Sequence, residues 1–242
     1  MQKAAERGAA REQFLRGLKA GVPVMFGFIP VAIAYALAAR QAGFSAMETI
    51  LMSLIVYAGA SQMMAVGMVG AGSAMGPIVL ATFLLNLRHF IMSTYVMREL
   101  PEKTRLPKRL LSAFYITDEA FAVFSAQKDE NRTMAFFAGL AAITYLSWAG
   151  GTAIGAFASE LIPEALLSSF NIALYAMFIA LLVPGLPGKP KLCLLVLFTA
   201  ALSALLDRVM PSSWALILST IAGAAIGAAF TGESAPDEED LP

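Results

Sequence analysis

Charge is what this chain has least of. Only 14% of its 242 residues are Asp, Glu, Lys or Arg, against about 25% in a soluble globular domain, so too few ionic groups remain to cover a water-facing surface. Cysteine occurs once, at Cys193, which excludes an intrachain disulfide and a cysteine metal cluster. Its setting, Lys191-Leu192-Cys193-Leu194-Leu195, reads as simple packing. Histidine also occurs once, as His89, so no His-His metal pair exists. Phosphate-cradling GxxxxGK[ST] and nucleophile-elbow GxSxG patterns are absent. Lys plus Arg and Asp plus Glu balance at 17 each, leaving no basic field for nucleic acid. No enzyme constellation is present and no cofactor is implied.

What is present is long apolar runs, with 58% of residues hydrophobic. An α-helix rises ~1.5 Å per residue, so about 20 apolar residues cross a ~30 Å hydrocarbon core. Segments 20–39, 48–71, 73–97, 110–126, 133–157, 165–184, 191–206 and 213–230 are candidates. Continuous runs of this kind favour helices over a barrel, which would show many ~10-residue alternating strands. The expectation is an all-α polytopic membrane protein of six to seven transmembrane helices, with broken or re-entrant elements in its first half. One transport domain over 20–230 lies between a basic N-terminus (1–19) and an acidic tail (231–242). The N-terminus resembles a signal peptide with basic residues before an apolar core ending in Ala36-Leu37-Ala38, but 20–39 is longer than the ~7–15 residues of a signal core and is read as a retained first span. No internal repeat is visible.

Basic residues near span ends set orientation. Lys3, Arg7, Arg11, Arg16 and Lys19 place the N-terminus in the cytoplasm, and Arg98, Lys103, Arg105, Lys108 and Arg109 do the same for 98–109. Segments 127–132 and 185–191 carry Lys128, Arg132, Lys189 and Lys191 and also read as internal, whereas Glu160 and Glu164 suit the outside. The tail then falls inside by parity. Three full crossings before residue 98 would violate this pattern. One of 48–71 and 73–97 is therefore broken or re-entrant, with break points at Gly59-Ala60-Ser61-Gln62 or between Gly70 and Pro77. The short segment 110–126, flanked by base on both sides, fits a re-entrant or half-helix element. Non-helical backbone survives at membrane depth only where protein or a watery cavity surrounds it, as in secondary transporters.

Polar groups inside these runs carry the chemistry, because burying an ionised group in hydrocarbon costs at least ~2.5–3.5 kcal/mol. Asn86, Arg88 and His89 lie within 73–97, and Thr117, Asp118 and Glu119 lie within 110–126. Mutual pairing of the two clusters would offset the cost. The alternatives are a helix ending near Arg88, with that side chain snorkelling to the interface, and a surface amphipathic helix at 110–126. Tyr57, Ser61 and Gln62 flank Gly59 at the first break. There, exposed backbone groups and half-helix ends suit an amino-acid carboxylate and ammonium, or the small residues serve close packing. Pro23, Gly27 and Pro30 punctuate the first span as a hinge or as ordinary membrane-helix residues. Gly150, Gly151, Gly155, Gly223 and Gly227 are spaced for helix packing.

Four motifs in register, Gly21-Val22-Pro23…Gly27…Pro30, Met52-Ser53…Tyr57-Ala58-Gly59-Ala60-Ser61-Gln62, Asn86-Leu87-Arg88-His89 and Ala113-Phe114…Thr117-Asp118-Glu119, resemble AzlC-type branched-chain amino acid permeases across roughly 20–125. Tyr57 and Met63 stand where phenylalanine is commoner in that family. The resemblance implies a bacterial inner-membrane exporter of leucine, isoleucine, valine and related apolar amino acids. It also implies a small AzlD-type membrane subunit as partner. On that footing, Asp118 or Glu119 is the candidate proton carrier, since poorly hydrated carboxyls change protonation in the working range. Arg88 would hold the substrate carboxylate or act as counter-charge. Met52, Met63 and Met64 are candidates for an adaptable apolar pocket. A non-transporting membrane scaffold and a channel are the other readings.

Overall fold

The computed structural model describes residues 2–100, 106–128, 132–159 and 186–230, with Ile179 and Val183 besides. The expected span 165–184, most of the acidic 158–164 segment, Lys103, Arg105 and the tail fall outside the described residues. Within them all regular structure is helical: α1 (Gln2–Gln41), α2 (Ala46–Val56), α3 (Gly59–Gly70), α4 (Met75–Glu99), α5 (Leu106–Phe114), α6 (Asp118–Ser125), α7 (Met134–Ala158), α8 (Pro190–Leu206) and α9 (Ser212–Phe230). Gly8–Gln41, α4 and α7 are each long and apolar enough to cross a membrane. The fold is that of an all-helical polytopic membrane protein.

The chain divides into two compact units, residues 1–71 with 82–174 and residues 72–81 with 175–242. In the second, α8 and α9 pack through glycine. A Cβ on Gly223 would lie 2.5 Å from Thr199 Oγ1, and one on Gly227 would lie 2.9 Å from Leu195. The residue order makes the pair antiparallel.

The first unit is organised on α1 and α7. A Cβ on Gly17 would sit 2.0 Å from the Phe136 carbonyl oxygen, and one on Gly139 equally close to that of Phe14. Further along, Gly151 and Gly155 lie against the backbones of Ile29 and Ile33. These contacts advance in the same direction along both helices, so α1 and α7 run parallel with backbones nearly touching, the arrangement small residues permit in membranes. Arg40 pins the shared C-terminal end, donating to the Phe44 carbonyl at 3.0 Å and to Ser159 Oγ at 3.2 Å.

Two broken helices fill the space beside this pair. After Gln41 the chain turns through Gly43, at φ +94°, and Ser45 starts α2 with a capping box to Glu48. Helix α2 ends at Tyr57, and α3 returns until Gly70 sits 3.5 Å, as a built Cβ, from the Ala42 side chain. Both ends of α2–α3 therefore lie at the C-terminal end of α1, which makes the pair a re-entrant hairpin. Its helices of 11 and 12 residues span about 16–18 Å each, roughly half a hydrocarbon core. The second hairpin is α5–α6. Ser112 Oγ is 3.3 Å from Met134 Sδ at the start of α7. Arg132 closes the other limb, donating to the carbonyls of Ser125 and Gln127 at 2.8 and 2.9 Å and pairing with Glu99 at 2.5 Å. Its base thus lies at the N-terminal end of α7, and the two hairpins enter from opposite ends. Of the two segments that parity left open, 48–71 is the broken one, while α4 is continuous through Arg88.

Candidate functional site

The hairpin tips meet. Tyr57 ends α2 in the left-handed conformation, φ 46° and ψ 45°, a rarely occupied region for a bulky residue that persists only where surroundings enforce it. The enforcement is aromatic. The Tyr57 ring lies 4.9 Å from Tyr145 of α7, 6.1 Å from Phe114 and 6.3 Å from Tyr115, the last two at the tip of the second hairpin. Tyr115 and Tyr145 are 5.2 Å apart edge-to-face. Trp148 packs against Gly59 so closely that a Cβ there would be 2.7 Å from the indole. Both Tyr145 and Trp148 stand near the middle of α7, which puts the junction at half depth.

Polar side chains hold the first break together. Gln62, fully buried, accepts from the Ala58 N–H at 3.2 Å through Oε1 and donates to Ser53 Oγ at 3.2 Å through Nε2. Ser53 is hydrogen-bonded in turn to Thr152 of α7 at 2.8 Å. Ser61 donates to the Ala58 carbonyl, and the Tyr145 hydroxyl donates to the Leu54 carbonyl at 2.9 Å, satisfying an acceptor in the last turn of α2. Ser61 and Gln62 are thereby engaged with the fold. The N-terminus of α3 itself has no side-chain cap. Its backbone donors face the junction with the positive end of the helix dipole.

The second tip carries charge. Thr117 caps α6, accepting from the Ala120 N–H at 3.2 Å, and Asp118 and Glu119 occupy the first turn. Arg88, near the middle of α4, reaches Asp118 with Nη1 2.8 Å from Oδ2. His89 lies beside Arg88, Asp118 and the backbone of Ile116. Glu119 is an electrostatic neighbour of both Asp118 and the Tyr57 phenol. The structure thus brings Tyr57, Arg88, His89, Thr117, Asp118 and Glu119 to one junction. Among the described residues, the buried Tyr57 hydroxyl, Asn86 Oδ1, Arg88 Nε and Trp148 Nε1 have no hydrogen-bond partner. Buried polar atoms are ordinarily satisfied, so the unpaired Tyr57 hydroxyl and Arg88 Nε make the junction the candidate site. Pro23, Gly27 and Pro30 lie inside α1, which stays helical through all three. No atom approaches within 4 Å of where a Gly27 Cβ would stand.

Tyr115, Tyr145 and Trp148 are absent from the sequence-level candidates. A signal for two of them existed: tyrosine and tryptophan favour membrane interfaces, yet Tyr145 and Trp148 fall mid-span.

The AzlC protein family matches residues 23–162, the stretch that contains both hairpins and α7. The chain belongs to the AzlC family. It is 31% identical to the inner membrane protein YgaZ of Escherichia coli over 78% of this chain and 80% of that one. It is 38% identical to a membrane protein of Archaeoglobus fulgidus over 73% and 77% respectively. The branched-chain amino acid transport protein AzlC of Bacillus subtilis is 28% identical over 55% of this chain and 53% of its own length. No solved structure matches.

Proposed function

We propose that this AzlC-family protein is a secondary transporter that exports branched-chain or related apolar amino acids from a bacterial cytoplasm, coupled to inward proton movement. It would act as the large subunit beside a small AzlD-type membrane protein. The observation that carries the reading is the meeting of two half-depth hairpins, from opposite ends, over the Arg88–Asp118 pair. Broken helices facing each other at the bilayer midplane supply backbone donors, acceptors and partial charges to a substrate while the two ends open in turn. The uncapped start of α3 and Arg88 suit a carboxylate, Glu119 suits an ammonium, and the Tyr57–Phe114–Tyr115–Tyr145 cluster suits an apolar side chain. Asp118 and Glu119 are the candidate proton carriers. The name of the Bacillus subtilis relative supports the substrate class, and basic 98–109 supports a cytoplasmic N-terminus and base of the second hairpin.

The test is efflux from cells preloaded with radiolabelled leucine, with and without the small subunit. Asp118→Asn and Glu119→Gln together are expected to abolish proton-coupled efflux at unchanged protein level; undiminished coupling in that double variant would refute the carrier assignment. The scaffold reading takes the Arg88–Asp118 contact as a mutual structural pair. It predicts that neutralising the charges affects assembly while leucine flux stays at background in every variant. Saturable counterflow would exclude a simple channel.

A further inference from the structure

Between α5 and α7 runs a groove of about 570 Å³, within the ~300–1,000 Å³ of small-molecule sites. It starts at Lys108, passes Ser112 and Phe137, and ends on Tyr115 and Tyr145, two members of the aromatic cluster at the hairpin tips. Small residues on α7, Ala142 among them, keep it open. Lys108 is exposed and is the one charged residue among the described residues that line the groove. The Ser112 hydroxyl is committed to the Lys108 carbonyl and to Met134 Sδ, which leaves the ammonium as the recognition group. Toward the C-terminal end of α1 the way is shut by the buried Ser53, Gln62 and Thr152.

We infer that this groove is the entry vestibule through which an apolar amino acid reaches the hairpin junction. The Lys108 ammonium meets the carboxylate at the mouth, and Phe137 and the α7 alanines carry the side chain inward to the Tyr115 and Tyr145 rings. The inference rests on the transport reading, and it makes the structure a form open at the α7 N-terminal end and closed at the other. Continuity with the tyrosines and one cation of the sign that attracts a carboxylate favour an amino acid as occupant. A lipid chain or a helix of the small subunit would need neither.

The chain has one cysteine, so Cys193→Ala yields a cysteine-free background. In it, Ala142→Cys is probed in inside-out vesicles containing the full chain and its small subunit, using a charged, membrane-impermeant thiosulfonate; Ile91→Cys, on an exposed face of α4, is the lipid-side control. The charged reagent is expected to modify position 142 and not 91. Leucine at ten times its half-saturating concentration is expected to slow that modification about ten-fold, by simple occupancy. Ala142→Trp is expected to abolish leucine counterflow at normal protein level. Reaction at 142 only with an apolar maleimide, unaffected by leucine, would assign the groove to lipid. Reaction with either reagent only when the small subunit is omitted would assign it to that partner. Either result, with leucine counterflow intact in the parent protein, overturns the vestibule alone. Absence of counterflow in the parent removes the transport reading itself.

Discussion

Arg88 and Asp118 approach to 2.8 Å although one stands in the middle of α4 and the other opens α6 at the tip of a re-entrant hairpin. Each side chain is 36% exposed, and on the proposed transport reading that open side faces the hydrated substrate path. At that exposure its net contribution to stability is ~1 kcal/mol or less. Arg88→Ala should therefore insert and accumulate near the parent level, as read by membrane immunoblotting and detergent melting. If Arg88 holds the substrate carboxylate or serves as counter-charge, as proposed, leucine efflux should still fall to background. A variant that melts normally and still transports would make Arg88 dispensable.

The second arginine pair behaves in the opposite way. Arg132 is more enclosed, at 17% exposure against 30% for Glu99, and it also donates to two carbonyls at the end of α6. Removing it strands an acid and two acceptors together, for which about 2–4 kcal/mol is the expected scale. Arg132→Ala should lower the detergent Tm clearly. Arg132→Lys should recover only part of the loss, since an ammonium cannot reproduce the planar fork. Equal melting of all three proteins would show that the base of the second hairpin does not depend on this residue.

Glycines divide by their surroundings. Alanine at Gly17 or Gly139 would force a Cβ to 2.0 Å from a facing carbonyl oxygen, which only separation of α1 and α7 relieves. Overpacking of this kind costs ~1–3 kcal/mol, so both variants should lower Tm and shorten the half-life of the purified protein. Gly27→Ala, with open space around it, should melt with the parent. If Gly27 serves as a hinge, its loss will appear in the transport rate and not in the melting curve.

How far the sequence reached can be judged at particular residues. Hydropathy located α1, α4 and α7, and the basic residues around 98–109 together with segment length required broken elements at 48–71 or 73–97 and at 110–126. The break itself falls at Tyr57-Ala58, just ahead of the expected Gly59. A propensity argument favours glycine there, whereas the turn is made by a tyrosine in the left-handed region held by three other rings. Ser61 and Gln62 have the polar character of substrate ligands, yet their partners, Ala58, Ser53 and through it Thr152, show them fastening the hairpin. Long-range partners such as Thr152 and Tyr145 lie about ninety to one hundred positions away, which no local pattern encodes. The parallel run of α1 beside α7 is likewise a tertiary choice, legible only in that Gly17, Gly139, Gly151 and Gly155 each needed a close neighbour.

Gln62 sets a prediction of its own. Its amide joins the Ala58 N–H to Ser53 across the break, so Gln62→Leu leaves a buried donor unsatisfied at about 1–3 kcal/mol. The variant should melt earlier, and the impermeant thiol reagent should gain access to a cysteine placed at Ser53 from the α1 C-terminal end. Unchanged protection of that cysteine would mean the seal lies elsewhere.

Tyr57 separates stability from function most sharply. Its hydroxyl is buried, only 2% of the residue being exposed, and makes no well-formed hydrogen bond among the described residues. Thr144 interacts with it electrostatically from outside hydrogen-bond geometry, its own proton going to the Leu140 and Ala141 carbonyls. An unsatisfied hydroxyl of this kind costs ~1–3 kcal/mol, and Tyr57→Phe keeps the ring, its contacts with Tyr145 and Phe114, and the backbone turn. The variant should therefore melt higher than the parent protein in the absence of substrate. If the hydroxyl is kept for the amino acid, the same change should raise the half-saturating leucine concentration several-fold and shrink the rise in Tm that leucine produces. A protein that is both more stable and equally tight for leucine would show that the phenol oxygen faces no ligand, and the aromatic cluster would then be a packing device alone. Opposite signs in the two measurements are what a binding role at the hairpin junction requires, since stability given up in the empty state is recovered only when the substrate arrives.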